Sequence, residues 1–444
     1  MKRRLAVVGS GISGLAVAWS LSREAHVTLF EAGSHFGGHA NTLDVTLDGQ
    51  THGVDTGFLV FNHRTYPELV RLFQTLKVDT AASDMSFSVQ HRASALEWSG
   101  TNLSSVFAQR RNLLRPSFLG MLRDILRFNR LTSDLAQRGV EQELAQATGE
   151  FLDQHRFGRA FREGYFLPMI GCIWSCPTDQ MLQFPIATLI RFCHNHGLIQ
   201  VSDRPQWHTV RGGSRHYVQK MVAELDDARL HSPVSCVRRG HSPQGVPQVQ
   251  VSSPRGDEWF DDVVLACHTD QSLALLGDAS EPERRCLGAI RYHRNEAVLH
   301  TDASVLPQRR LAWAAWNYER AADVQQEQAG VCLHYLINRL QPLPWQRPVV
   351  VSLNPQRPID PDQVIARIDY DHPVFDQAAV AAQQQLDGIQ GRSGVWYCGA
   401  WTRYGFHEDG LMSGLNVVTR LRSAWALQSA STSWSAAPDR AAAA

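Results

Sequence analysis

The chemistry this sequence offers is concentrated near its two ends. Gly9-Ser10-Gly11-Ile12-Ser13-Gly14 has the spacing G-x-G-x-x-G, and Glu31 follows at about the 20 positions that a dinucleotide site requires. Gly9 permits a tight turn, Gly11 lets the backbone approach a diphosphate, and Gly14 lets a helix pack closely on a strand. The helix after the turn offers unpaired N–H groups and the positive end of its dipole to the phosphates. Glu31 is positioned to accept hydrogen bonds from a ribose diol. Near the other end, Tyr404-Gly405-Phe406-His407-Glu408-Asp409-Gly410 sets an imidazole and two carboxylates just ahead of a helical stretch. Groups partly removed from water there have shifted pKa values. His407 is the candidate general base or hydrogen-bond donor, with Glu408 orienting it or taking the proton itself. Asp409 reads more simply as a cap for a helix beginning near Leu411.

The elements needed to position the first motif are present in order. Leu5 to Val8 is a short apolar run of the kind buried in a parallel sheet, Leu15 to Leu21 has helical character, and His26 to Phe30 is a second apolar strand ending at Glu31. A nicotinamide-binding half would continue into a third strand and helix. Instead Ala32-Gly33-Ser34-His35-Phe36-Gly37-Gly38-His39 forms a glycine-rich loop that wraps the same cofactor. No second G-x-G-x-x-G lies mid-chain: Gly388, Gly391 and Gly394 precede a strand and read as a surface turn. No NAD(P)H site is expected, so electrons enter from an organic substrate.

From the Gly37-Gly38 loop onward the chain resembles the superfamily of FAD-dependent amine oxidases, phytoene desaturases and protoporphyrinogen oxidases, with His39 standing where that family usually has an arginine. Val54-Asp55-Thr56-Gly57 looks like its short strand near the flavin, and Val210-Arg211-Gly212-Gly213-Ser214 like its GG turn. Val234 stands where the family's backbone meets the adenine, and Asp262-Val263-Val264-Leu265-Ala266 resembles a further strand. Val395 to Ala400 leads into Gly410-Leu411-Met412-Ser413-Gly414, the helix that meets the flavin pyrimidine in the superfamily; Ala400 replaces the usual acid after Gly399. The resemblance implies FAD, held by residues 9–14, Glu31, Ala32, Gly38, His39, Thr56, Gly57, Val234, Gly399, Ala400, Gly410 and Leu411. It implies an α/β fold: a Rossmann-like FAD-binding domain of the glutathione reductase or amine oxidase type, with an interleaved α+β substrate domain of mixed sheet plus helices. The FAD domain is expected at 1–60, 205–275 and 390–427. The substrate domain is expected at 61–204 and 276–389, helical at about 103–200, with a disordered tail at 428–444. Strands are expected at 86–90, 297–300, 312–317 and 332–337.

Composition narrows the class. A chain of 444 residues has room for two or three domains, and 43% hydrophobic with 19% charged residues is ordinary for a globular protein. Forty-three basic side chains balance 43 acidic ones, so no global field captures nucleic acid, and no nucleic-acid partner is expected. The eight cysteines form no C-x-x-C pair, which fits a reducing compartment. Glycines at 9, 11 and 14 interrupt the apolar start, so neither a signal peptide nor a transmembrane helix is expected; the location read is cytoplasmic or peripheral at the inner membrane.

Other constellations are weaker. Cys193-His194-Asn195-His196 is too tightly spaced for a tetrahedral metal site, and no metal is expected. Cys172 and Cys176 read as buried thiols near Trp174. Trp313, Trp316 and Tyr335 line either a pocket or the core. Residues 107–131 are basic and amphipathic, with five arginines from Arg110 to Arg127 plus Arg130 and a single acid, Asp124; such a helix either rests on an anionic membrane or is an ordinary core-facing helix.

Longer strings, Asn41 to Gly49, Asp55 to Asn62, Ser83 to Ser88 and Tyr404 to Gly414, resemble a bacterial branch encoded beside cyclopropane fatty-acid synthases, and the amino-terminal part of plant cyclopropane synthases. That resemblance implies an acyl chain of a membrane lipid as substrate, desaturation as reaction, and a lipid methyltransferase or cyclopropane synthase as partner. Amine oxidases of the superfamily add a lysine beside flavin N5, whereas residues 285–345 contain no lysine and the chain has only Lys2, Lys77 and Lys220. An oxidase of an amine or cyclic precursor, and a non-redox flavin-binding partner or isomerase in lipid modification, are the alternatives.

Overall fold

The computed structural model describes residues 2–140, 144, 146–174, 178–199, 204–320 and 330–435. Its contacts divide the chain into two units: residues 1–38, 219–288 and 385–444, and residues 39–218 and 289–384.

The first unit is built on a five-stranded parallel sheet in the order Asp227–Arg229, His26–Phe30, Arg4–Val8, Asp262–Leu265, Val395–Tyr397. The opening strand lies at the centre, and Leu5, Ala6 and Val7 are fully buried, which is why that stretch is continuously apolar. The helix Ile12–Leu21 follows it directly. A three-stranded antiparallel sheet, Cys236–His241, Pro247–Ser253 and Gly256–Phe260, belongs to the same unit. So does the C-terminal helix His407–Ser435. Asp262 is tied there by the indoles of Trp396 at 2.9 Å and Trp425 at 2.7 Å.

The second unit contains a seven-stranded sheet in the order Val364–Val374, Arg291–His300, Val350–Leu353, Cys332–Leu336, Trp316–Glu319, Phe87–His91, Leu96–Ser99. Only the pairing of Trp316–Glu319 with Phe87–His91 is parallel, so this sheet is mixed. Helices follow between Leu103 and Asn195, where Phe128, Phe157, Phe161 and Phe166 pack with ring centroids 4.8 to 5.7 Å apart. The mixed α/β class agrees with the sequence reading.

Several boundaries differ. Residues 39–60 and 205–218 group with the second unit, because the hairpin Thr42–Leu47/Gln50–Asp55 and the turn at Gly212-Gly213 are bonded to each other through Asp55, Thr42 and Ser214. Residues 276–288 and 385–389 group with the first. The strand expected at 312–317 starts only at Trp316; Ala312 closes a short turn, and Trp313 donates from its indole to the Pro307 carbonyl at 2.6 Å and packs on a buried apolar cluster. Trp316 and Tyr335 are direct cross-strand partners with rings 4.9 Å apart. The tail expected to be disordered from 428 instead continues the last helix to Ser435. Residues 436–444 and Cys176 lie outside the described residues. Gly391 and Gly394, with φ of 70° and 82°, form the turn expected ahead of the strand at Val395.

Candidate dinucleotide site

The glycine turn is shaped by contacts that exclude side chains. Gly9 has φ of 100°, and its N–H donates to the Phe30 carbonyl at 2.9 Å, which locks the turn to the neighbouring strand. A Cβ on Gly14 would stand 1.9 Å from the Gly9 carbonyl oxygen. A Cβ on Gly11 would meet nothing within 4 Å, so an open cradle lies beside the turn where a phosphate has room. Gly11 precedes the helix Ile12–Leu21, and the Leu15 N–H already bonds to its carbonyl at 2.9 Å. The N–H groups of Ile12, Ser13 and Gly14 are the ones the helix itself leaves without partners. No acidic side chain occupies that first turn to compete with an anion.

Glu31 sits beside this cradle. Its Oε2 accepts from the Ser10 N–H at 3.0 Å and from the Ser10 hydroxyl at 2.5 Å, and its Oε1 accepts from the Gly33 N–H at 2.8 Å. A carboxylate has about four acceptor directions, so room remains for the ribose bonds expected of it. The loop expected to wrap the cofactor folds over the turn: the Gly37 N–H donates to the Ser10 carbonyl at 3.1 Å, and a Cβ on Gly38 would lie 3.2 Å from Gly11 Cα. Ala32 is exposed on the same loop. The segment leading to Val234 runs alongside, with the Ser232 N–H on the Glu31 carbonyl at 2.8 Å and the His231 N–H on the Gly33 carbonyl at 3.1 Å.

The amino end of the C-terminal helix packs on the amino end of the first. A Cβ on Gly410 would lie 2.8 Å from Ile12 Cγ2 and 3.0 Å from Ser13 Oγ, and one on Gly414 would lie 2.5 Å from the Ser13 carbonyl oxygen. Glycine at both positions brings the two helices into backbone contact. Gly399 is held by the Ser413 hydroxyl, which accepts its N–H at 3.2 Å, and Ala400 packs 3.6 Å from the Gly410 position.

This helix begins at His407, four residues before the start expected at Leu411. The cause is Asp409, whose carboxylate accepts the Phe406 N–H at 3.0 Å while the Phe406 carbonyl accepts the Gly410 N–H, also at 3.0 Å. Asp409 thus supplies the cap expected of it, but by reaching back from the first turn. The N–H of Gly410 is spent inside the helix, as is that of Leu411 one position on. Gly410 serves the close packing of the two helices.

Burial sets the protonation of this turn. It pushes His407 down to about 3, so the imidazole is neutral near pH 7. It raises Asp409 to about 6, against the opposing Phe406 N–H bond and the Arg403 charge. Glu408 is buried. A neutral imidazole and carboxylates at a helix amino terminus form a set able to take and return a proton.

His39, Thr56 and Gly57 fall in the second unit and gather around Tyr370. The His39 ring stacks on Tyr370 at 4.8 Å, Thr56 Oγ1 lies 2.8 Å from the Tyr370 hydroxyl, and a Cβ on Gly57 would meet the His39 carbonyl oxygen at 2.3 Å. Asp55, quoted in the motif but given no role, proves to be the hub of this region. It accepts from the Ser214 N–H at 2.9 Å, the Ser214 hydroxyl at 2.8 Å, the Thr42 hydroxyl at 2.5 Å and Gln341 Nε2 at 2.8 Å, and burial raises it to about 6. Ser214 and Gln341 are 159 and 286 positions away, so no local pattern marks them as its partners.

A second missed group lies in the seven-stranded sheet. Glu319 pairs with Arg357 at 2.9 Å and with His334 Nε2 at 3.0 Å; His334 Nδ1 lies 2.7 Å from Ser352 Oγ, which lies 2.7 Å from His300 Nε2. Burial alone would lower His334, but Cys332 and Glu319 beside it push it up to about 9. Glu319, Cys332 and His334 set three ligand-type atoms within 4.8 Å of one another. Both oxygens of Glu319 are engaged by Arg357, which suits an internal ion-pair network. The Cys193–His196 segment is structural too: His196 stacks on Phe192 at 3.9 Å and bonds its carbonyl. A cavity of about 230 Å³ in the second unit, lined by Val89, Leu96, Phe118 and Met121, contains none of the expected site residues.

Comparison with known proteins agrees with this geometry. Residues 7–76 match the model of an NAD(P)-binding Rossmann-like domain. None of the curated proteins compared with the chain matches it. Among solved structures, a CLA-producing fatty acid isomerase from P. acnes aligns with a TM-score of 0.66 at 14% identity, over 94% of this chain and 98% of the other. Putrescine oxidase aligns with a TM-score of 0.66 at 14% identity, over 95% and 99%. Cyclohexylamine oxidase from Brevibacterium oxydans IH-35A aligns with a TM-score of 0.63 at 13% identity, over 95% and 100%. The chain has the FAD-type amine oxidase fold. Its Rossmann-like domain fits FAD in the features described: an open cradle at Gly11, two helix amino termini packed together, and a carboxylate at Glu31. Among the described residues no helix is long and apolar enough to cross a membrane.

Proposed function

We propose that this protein is an FAD-dependent oxidoreductase that dehydrogenates a fatty-acyl chain of a membrane lipid. The observation that carries the reading is the amino end of the C-terminal helix, seated on the dinucleotide helix through Gly410 and bearing His407, Glu408 and Asp409 in its first turn. FAD, when bound, supplies a hydride acceptor at flavin N5. Ile12, Ser13 and Gly14 would hold its diphosphate by their N–H groups, and Glu31 its ribose. The positive end of the helix dipole at His407 would favour negative charge beside it. His407, neutral because burial disfavours its cation, or Glu408 takes the proton released when the second C–H bond of the acyl chain breaks. The substrate class is supported by the fatty acid isomerase sharing the fold and by the absence of lysine between residues 285 and 345.

The isomerase among these folds also favours a second reading, in which the same base returns its proton elsewhere on the chain and a double bond moves without net oxidation. One experiment separates the two. FAD-loaded protein is mixed anaerobically with phospholipid extract, and both flavin absorbance and lipid mass are followed. Bleaching with loss of two hydrogens from a lipid supports dehydrogenation; a changed double-bond position at constant mass supports isomerisation. Bleaching by amines and not by lipid overturns both.

A further inference from the structure

The basic stretch beginning near residue 103 carries an arrangement that an ordinary surface helix does not. Nine large hydrophobic side chains are exposed among the described residues, and five of them, Leu103, Leu113, Leu114, Leu119 and Leu126, fall within 24 consecutive positions. Leu103 is 77% exposed and Leu114 86%. A sixth, Leu311, lies on the short turn Arg310–Ala312 that packs against the helix Leu103–Val106.

The 23-residue helix Pro116–Arg138 separates its faces cleanly. Phe118, Met121, Phe128 and Thr132 are buried on one side. The opposite side reads Leu119, Arg123, Leu126, Arg130, at positions i, i+4, i+7 and i+11, which share one helical face. Leucine there gains nothing in water, and arginine gains nothing beside leucine unless both meet something that is apolar below and negative above. Asp124, the single acid between residues 107 and 131, is buried on the inner face against Arg123 and Arg127 at 3.4 and 3.5 Å. Among the described residues Arg110, Arg115 and Arg130 have no carboxylate partner.

We propose that the face formed by residues 103–130, with Leu311, docks on an anionic phospholipid bilayer. The leucines enter the boundary between headgroups and acyl chains, and the arginines meet lipid phosphates. Charge complementarity selects this occupant: an exposed face with arginines and without acids fits a negative surface, and leucines spread between them suit an interface plane. A protein partner would favour a contiguous apolar centre with a polar rim. The exposure and charge of this face favour a bilayer whichever reaction the protein catalyses.

The test is co-sedimentation of the FAD-loaded protein with vesicles of phosphatidylglycerol and phosphatidylcholine, or of phosphatidylcholine alone. Binding is expected to the anionic vesicles and to fall as salt is raised. The double variant Leu114→Glu/Leu126→Glu should bind at least tenfold more weakly, and each of Arg110→Ala and Arg130→Ala about fivefold more weakly. These side chains are exposed, so melting temperature should be unchanged. Equal binding to neutral vesicles, or binding that the variants leave intact, overturns the proposal. So does sedimentation velocity showing that the wild type self-associates and the leucine variant does not, which would make the face a contact between copies.

Discussion

Two glycines three residues apart should respond oppositely to the same methyl group. In Gly14→Ala the new carbon would sit 1.9 Å from the Gly9 carbonyl oxygen, about 1.5 Å inside ordinary contact. The atom met is backbone, held by the 2.9 Å bond from Gly9 N–H to Phe30, so relief requires opening the turn. Overpacking costs about 1–3 kcal/mol and the weakened hydrogen bond about 1 kcal/mol more, together about 2–4 kcal/mol. For a unit of this size that is a fall in melting temperature of roughly 4–16 °C. In Gly11→Ala the methyl meets no protein atom, and φ of −60° with ψ of 173° suits alanine. The variant without FAD should be as stable as wild type or up to about 1 kcal/mol more stable, because its unfolded chain is more restricted. Yet the methyl occupies the cradle assigned to the diphosphate and keeps the first-turn amides from it. FAD affinity should fall tenfold or more, at least about 1.4 kcal/mol. The assay is thermal melting of protein stripped of FAD, paired with FAD titration followed by flavin fluorescence. Gly11→Ala that binds FAD like wild type would refute the assignment of the cradle, and Gly14→Ala that melts with wild type would refute the packing argument.

The remaining predictions concern buried titratable groups. Burial holds the folded-state pKa of His407 at about 3, below the unfolded 6.5, so acid between those values protonates the unfolded chain first and destabilises the fold, by at most about 1.4 kcal/mol per pH unit. His407→Gln should lose less stability than wild type between pH 6.5 and 5 in melting curves; parallel curves would contradict this. Asp409 acts in the opposite sense, since its raised pKa of about 6 makes its contribution grow as pH falls from 6 toward 3.8, so Asp409→Asn should steepen the acid loss. Asp55→Ala strands the Ser214 N–H and Gln341 amide in the interior, at about 1–3 kcal/mol each, and urea unfolding should read about 2–6 kcal/mol in total. Glu319→Ala leaves Arg357 and His334 facing each other without their carboxylate and should cost about 3–5 kcal/mol by the same measurement.

The parts of the site that were legible are those made by neighbours in the chain. Gly9 to Gly14 and Glu31 form a strand–turn–helix–strand unit whose residues contact one another across at most 27 positions, as the bond from Gly37 to Ser10 illustrates. The parts that were not legible depend on distant partners. Asp55 draws its hydrogen bonds from residues 159 and 286 positions away. The Glu319–His334–Ser352–His300 chain assembles only because four strands are consecutive neighbours in the seven-stranded sheet. The last helix starts at His407 and not near Leu411 because Asp409, reaching back to Phe406, sets its first turn.

By itself, then, the order of residues determined the parallel α/β frame, the glycine turn, its acid at Glu31 and the basic amphipathic stretch after residue 103. Each follows from local period and turn chemistry, which act within a few residues. Tertiary structure alone decided where the last helix begins, how burial shifts His407 and Asp409, and that Leu119 and Leu126 face outward beside arginines. Those properties depend on what surrounds a group in space, and burial is set by neighbours that the linear order does not name.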